Sequence, residues 1–479
     1  MSNVKQVFNP YLPSWEYVPD GEPHIFNDRL YVYGSHDRFN GTTYCMEPYV
    51  CWSAPLTDLS DWTYHGIIYT GEDDILNDTK KRLMFAPDVV EHNEKYYLYY
   101  GLDTANTISV AVADKPEGPF SFYGNVRHQD GEILGLKQGD EQQFDPGIFK
   151  DDDGSIYLYS GFSSTPEVIE RIKKKINDPN VTLHISTNGS FVTQLEDDML
   201  TIKYEPKSLL PGVSNSKGTG FEGHEFYEAS SMRKFKGKYY AIYSSVAGHE
   251  LCYAMSDYPD KDFVYKGVLH SNGNLGICDE PTYYYANNHG SVIEIHHEYY
   301  VFGHRHTNYT QFQRQGVAEK LHMNEDGTFE QAEMTSCGLN QKPLIGQGCY
   351  PSYIACVLQS KDGACQQDVK IDKEKHPAVT QDEDKIAFIT NIQDKTVIGF
   401  KYFSIEHLNN ICVQAQATDY GVVRVKTNRN EKDIAKIEIS PTDSWQYFCA
   451  DANVEKGIHA LYFIYEGKGK LKFRSFQLN

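Results

Sequence analysis

Tryptophan is scarce in this chain, with four residues in 479, and no stretch approaches the ~18 consecutive apolar residues that a membrane-spanning helix needs. The opening MSNVKQVFNPYLPSWEY lacks a charged segment followed by an apolar one, so no export signal is visible and a cytoplasmic location is expected. The ten cysteines form no CxxC pair and no zinc spacing, and are expected to be reduced, mostly buried small hydrophobes, the sequence supporting no particular disulfide between any two. Positive charge is also short: 45 Lys and Arg stand against 66 Asp and Glu, a net charge of −21. That balance argues against nucleic acid or an anionic membrane as partner. Helical patterning is confined to one short segment, PEVIERIKKKI from Pro166, with a start signal at Ser164-Thr165.

What the chain has instead is tyrosine and turns. Aromatics make up 13% of it, 36 Tyr and 24 Phe among them, which favours all-β architecture. A hydrophobic strand, a short polar turn and a Tyr-rich strand recur five times: HIFNDRLYVYGS from His24, VVEHNEKYYLYYG from Val89, IFKDDDGSIYLYSG from Ile148, MRKFKGKYYAIYSS from Met232 and VIEIHHEYYVFGH from Val292. Each reads as a β-hairpin with Asn-Asp, Asp-Gly or Lys-Gly turn chemistry. The intervals leave room for two more strands per unit, such as ISVAVAD from Ile108 and LCYAMSD from Leu251. Four strands repeated radially make a propeller blade, so residues 1–340 are expected to form a five-bladed β-propeller, with the helix as an insertion between blades. The repeat then fades into a turn-rich stretch read as a linker or the start of a new unit. From about Ala387 eight short alternating strands, IAFITNI to KLKFRSFQL, predict a β-sandwich of the jelly-roll kind within residues 341–479.

Three acidic residues stand just before the first strand of a hairpin, where the innermost strand of a blade faces the axis: Asp20, Asp145 and Glu228. Carboxylates from different blades would converge there, and a pair of carboxylates is what glycosidic hydrolysis requires. The stretches carrying them, NPYLPSWEYVPDGEPHIFNDRLYVYGS, FDPGIFKDDDGSIYLYSGF and FYEASSMRKFKGKYYAIYSS, resemble glycoside hydrolase family 43. The resemblance implies Asp20 as general base, Asp145 as the group that orients the acid and tunes its pKa, and Glu228 as general acid. Where that family has Asp-Pro, this chain has Asp20-Gly21-Glu22-Pro23, which leaves Glu22 as a rival base. Asp88, in MFAPDVVEHNEKYY, is given a structural role, and Asp151, Asp152 and Asp153 are read as a charged hairpin turn.

The resemblance further implies that His289, in NNHGSVIEI, stands near the axis and holds a calcium ion, mostly through water, and that Arg314, in FQRQGVAEKL, contacts the sugar in the deepest subsite. Trp15 and Phe85 are candidate pocket walls. The C-terminal HALYFIYEGKGKLKFRSFQL resembles family 6 carbohydrate-binding modules, with Trp445 as a candidate sugar contact; bracing the propeller and binding sugar both remain open for that unit. The implied activity is inverting, exo-acting release of α-L-arabinofuranose from arabinoxylan or arabinan oligosaccharides, with β-D-xylose as a second product and no organic cofactor. An inactive sugar-binding propeller and an endo-arabinanase are the alternatives. A mannoside phosphorylase ranks low for want of a basic cluster.

Overall fold

Alternating apolar residues around short polar turns fold as the hairpins they encode. In the computed structural model, which describes residues 6–176, 181–367 and 371–479, the first 330 or so residues form five antiparallel sheets. Four are four-stranded, spanning 22–69, 88–125, 147–211 and 226–271; the fifth, 292–321, has three strands. These are the blades of the expected propeller. The first strands, Glu22–Phe26, Asp88–His92, Gly147–Lys150, Phe226–Phe235 and Val292–Ile295, are the innermost. They meet across blades: Ile148 N–H donates to Asp88 Oδ2 at 2.8 Å, and the hydroxyls of Ser231 and Ser291 lie 2.7 Å apart.

Close approach at the axis requires glycine. A Cβ on Gly147 would stand 2.4 Å from the Ser230 carbonyl oxygen, so only this residue lets the third blade reach the fourth. The ring closes through a parallel bridge between Gly21 and Gly290, while Asn9 pairs its side chain with the backbone of Ala318 on the fifth sheet, 2.9 Å in each direction.

The helix forms over Pro166–Ile176, but between the second and third strands of the third blade rather than between blades. Ile169 is its one buried residue, so a single anchor holds an otherwise solvated helix. No helix among the described residues is long and apolar enough to cross a membrane.

All eight C-terminal strands are present and lie in two six-stranded sheets. The turn-rich stretch before them is the start of this unit rather than a linker: Leu344–Ile345, Gly348–Pro351, Val357–Gln359 and Ala378–Gln381 add strands to both sheets. Phe400, Phe463, Phe473 and Phe476 interlock between the sheets, with the Phe400 and Phe476 centroids 4.6 Å apart. The expectation of ten reduced cysteines fails here. Cys412 and Cys449 face each other on neighbouring strands and are joined as a disulfide, which only the pairing of the two strands could reveal. Trp445 sits on the strand Thr442–Asp451, not in a loop, with Phe388 edge-on and the Arg474 guanidinium 4.1 Å from its ring centroid.

The sandwich is welded to the propeller. Tyr283, Tyr284 and Met334 belong to the same buried cluster as the sandwich core. Leu358 N–H donates to Thr282 O at 2.9 Å, Gln367 N–H to Tyr285 O at 2.7 Å, and Asn308 N–H to Val379 O at 2.9 Å. The last of these holds the tip of the hairpin between Glu298–Thr307 and Thr310–Leu321, a two-residue turn with Asn308 and Tyr309 both at positive φ. Replacing buried Tyr283 by Ala should cost about 3–5 kcal/mol. Chemical denaturation should show that loss, and calorimetry should show the single melting transition of the parent splitting into two.

Candidate active site

Backbone conformation aims the acidic side chains. Asp20 and Asp145 both adopt left-handed φ, +57° and +45°, just before their strands, as does Ala229 at +68° immediately after Glu228. Asp tolerates this region better than most residues, but such positions carry strain that surrounding contacts must hold. Around Glu228 the pairing with the next strand slips between Phe226, Glu228 and Ser231, and such a bulge re-aims a side chain.

The three carboxylates meet. Asp145 Oδ2 accepts the Ala229 N–H at 3.2 Å, tying it to the residue beside Glu228. His289 Nδ1 lies 3.5 Å from Asp145 Oδ2 and 4.0 Å from Asp20 Oδ1, spanning the first and third blades. Their protonation tendencies are opposed. Burial alone would raise the pKa of Asp20, yet the charge of Arg314, reinforced by His304 and His289, holds it well below the usual carboxylate range. Burial and the nearby Asp20 charge push Glu228 up to about 8. Burial, with Glu228 and Asp20 as like charges, also lifts Asp145 well above the ordinary value. One ionised carboxylate thus faces a pair that favours retaining a proton.

Arg314 is buried, and most of its donors are taken. Nη1 donates to Asp20 Oδ1 at 2.8 Å; Nε and Nη2 fork onto the two oxygens of Asp37 at 2.8 and 3.0 Å; Nη2 also reaches Ser35 Oγ at 3.3 Å. These bonds leave one Nη1 proton unused. Its guanidinium lies 4.7 Å from the centroid of the Tyr44 ring.

Asp37, Ser35, Tyr44 and His304 were not singled out from the sequence. Asp37 is one loop acid among many, and its partner lies 277 positions away. His304 had a faint signal, the His-Arg-His alternation at the end of an apolar strand. It donates from Nε2 to Asn287 O at 2.7 Å and sets Nδ1 3.3 Å from Asp20 Oδ1.

The rival Glu22 is directed elsewhere. Its Oε2 pairs with Arg233 at 2.6 Å and accepts from Ser231 at 3.1 Å, and burial pushes its pKa up to about 8. Asp88 accepts from His24 Nε2 at 2.7 Å as well as from Ile148. Glu222 and Glu225 accept backbone protons in their own loop. Asp151 pairs with Lys234 at 2.7 Å. Trp15 packs on Trp52 at 6.1 Å and under Lys385 at 5.2 Å. Phe85 meets Phe144, the neighbour of Asp145, at 5.3 Å.

A calcium ion finds little protein to bind at His289. Burial lowers this imidazole to about 4, so it is a neutral nitrogen donor, whereas calcium takes six to eight oxygens. Among the described residues the groups able to surround an ion are Glu22–His24–Asp88, His128–Asp140–Glu205 and His224–Glu250–Cys252, and none includes His289. The side chains at His289 therefore do not build a calcium site by themselves.

The chain is similar to known proteins. The chain is 45% identical to a xylosidase/arabinosidase of Thermoclostridium stercorarium over 99% of both chains, and 30% identical to one of Bacteroides ovatus over 61% of this chain and 87% of the other. Among solved structures, a family 43 β-xylosidase/α-arabinofuranosidase from a compost metagenome, in complex with xylotriose and calcium-free, is 26% identical, covers 66% of this chain and 95% of its own, and has a TM-score of 0.51. An arabinoxylan arabinofuranohydrolase from Bacillus subtilis, 20% identical, shares the fold over 98% of this chain and 97% of its own, with a TM-score of 0.51. Residues 23–329 match the glycosyl hydrolases family 43, a match that opens three residues after Asp20 and takes in Asp145 and Glu228. The chain belongs to glycoside hydrolase family 43.

Proposed function

We propose that the protein is an inverting, exo-acting glycosidase that removes terminal α-L-arabinofuranose, and β-D-xylose, from arabinoxylan or arabinan oligosaccharides. The observation that carries this reading is the opposed protonation of the converging carboxylates, Asp20 ionised under Arg314 and Glu228 protonated by burial. Glu228 gives its proton to the glycosidic oxygen as the bond from the anomeric carbon breaks. Asp20 takes a proton from water as the new carbon–oxygen bond forms on the opposite face. Asp145, bonded to the backbone beside Glu228, orients the acid. The substrate assignment is supported by the names of the relatives, several of which are xylosidase/arabinosidases. Paired assays on p-nitrophenyl arabinofuranoside and xylopyranoside test it, with proton NMR reading the anomer first released. Release of the retained anomer, or hydrolysis of neither substrate, overturns it.

The Cys412–Cys449 bond is of a kind that reducing compartments rarely keep, which weighs against the cytoplasmic placement expected from the sequence. A calcium ion near the axis would be held at His289 chiefly by water, with no step of the hydrolysis depending on it.

Activity should fall as pH rises through about 8, where Glu228 loses its proton, and persist far into acid because Asp20 stays ionised. The variant Glu228→Gln should lose about 10²–10⁴ in kcat while keeping its melting temperature. Asp37→Asn should loosen the fork that holds Arg314 and with it the placement of Asp20. Its kcat should drop about tenfold or more through misplacement of the base. Exhaustive treatment with EDTA should leave kcat within about twofold, since a single protein nitrogen gives calcium little purchase.

A further inference from the structure

Of the three side-chain groups able to surround an ion among the described residues, two are already engaged elsewhere. In Glu22–His24–Asp88, Arg233 holds the glutamate at 2.6 Å, and the N–H groups of Val89 and Ile148 donate to the two oxygens of the aspartate at 2.7 and 2.8 Å. In His128–Asp140–Glu205 the carboxylates lie on different ring nitrogens, at 3.0 and 3.1 Å, and so on different edges of the imidazole. Asp140 Oδ2 also accepts the N–H groups of Gly135 and Lys137. In His224–Glu250–Cys252 no arginine, lysine or backbone N–H occupies the carboxylate; its bonds come from His224, Ser245 and Cys252.

The fourth blade builds this third group. Glu250 and Cys252 stand two apart on the strand Glu250–Ser256, where alternate side chains share a face. His224 comes from the loop before the blade. Its carbonyl accepts the Tyr243 hydroxyl at 2.7 Å, and its ring stacks on Tyr265 with centroids 4.8 Å apart and planes 14° from parallel. His224 Nδ1 lies 2.8 Å from Glu250 Oε2, and Cys252 Sγ lies 3.6 Å from the same oxygen. One ligand atom from each residue falls within 4.8 Å of the other two. A tetrahedral zinc ion sets nitrogen, oxygen and sulfur ligands about 3.3–3.7 Å apart, so a small rotation of the His224 ring makes room. That ring is 34% exposed and free to make it, whereas Cys252 is fully buried and fixed. Ser245 Oγ donates to Glu250 Oε2 at 2.8 Å and orients the carboxylate from behind, as the supports of metal ligands do.

The donor set selects the ion. Imidazole nitrogen, thiolate sulfur and one carboxylate suit zinc and cobalt(II), whereas calcium and magnesium require mostly oxygen. We infer that His224, Glu250 and Cys252 form a binding site for one divalent cation of the zinc class, with water in the fourth position, on the loop that leads into Glu228. The site uses a neutral imidazole and a thiolate. The hydrogen bond and charge of Glu250 raise the pKa of His224, and burial pushes the Cys252 thiol well above its ordinary value. An entering cation therefore displaces two protons to solvent, and its affinity rises with pH. No hydrogen bond or ion pair among the described residues joins these side chains to Asp20, Asp145 or Glu228, so the cation ties down the loop and takes no part in hydrolysis. The inference is independent of the glycosidase reading.

Cobalt(II) titrated into the full-length protein at pH 8 tests it without turnover. A thiolate-to-cobalt charge-transfer band should grow to saturation at one equivalent and vanish when one equivalent of zinc is added, but not when calcium is. Cys252→Ser should abolish the band, while Cys349→Ser, at an exposed thiol elsewhere, should leave it unchanged. His224→Gln alters a half-exposed side chain outside the core and should weaken cobalt binding about tenfold or more. Lowering the pH to 6 should weaken binding in the parent by about tenfold or more. Zinc should raise the melting temperature of the parent and not that of Cys252→Ser. Absence of the band, its survival in Cys252→Ser or its loss in Cys349→Ser overturns the site. Should Cys252→Ser fail to fold, undiminished cobalt affinity in His224→Gln overturns it equally.

Discussion

A buried guanidinium shared by two carboxylates is the interaction on which this site depends. Arg314 lies between Asp37, which takes two of its protons in a fork, and Asp20, which takes a third. All three are nearly inaccessible to solvent, so the charges are strongly coupled, and removing one member of such a buried pair typically costs about 3–5 kcal/mol. The same cation keeps Asp20 ionised where burial would otherwise protonate it. Asp20 in turn raises the proton affinity of Glu228 and Asp145. A single positive charge thus separates the roles of three otherwise similar acids.

The protein around the site serves that separation. Arg314 follows the hairpin whose tip, Asn308, is fixed by Val379 and Thr380 of the sandwich at 2.9 Å each. His289 lies shortly after the 282–285 stretch, which the sandwich also binds. The C-terminal sandwich accordingly braces the fifth blade and the loop before it. Trp445, capped by Arg474 and flanked by Phe388 on a sheet face, is held by the sandwich's own side chains. The disulfide lies on an outer strand pair of that unit.

A propeller mouth divides naturally between its blades, and here the division is chemical. The Arg314 cation, Asp20 and two histidines come from the first and fifth blades and the loop between the fourth and fifth; Asp145 and Glu228 come from the third and fourth. The two acids of the pair approach each other because Gly147 lets neighbouring innermost strands pack without a side chain between them.

The repeat, the all-β class and the eight sandwich strands were legible in the sequence, because a β-hairpin is written locally, in a two-residue period and a turn. Asp145 and Glu228 were legible for the same reason, each being tied to the start of a recognisable hairpin. Other features of the site took shape only with ring closure. Asp20 and Glu22, two residues apart, face different arginines, Arg314 and Arg233, partners hundreds of positions away. Asp37 and His304 became visible only once separate blades were brought side by side, and the Cys412–Cys449 bond only once two strands were paired. Local periodicity specifies strands and turns; the meeting of side chains from distant strands depends on how those strands pack, and no short stretch of sequence contains that information.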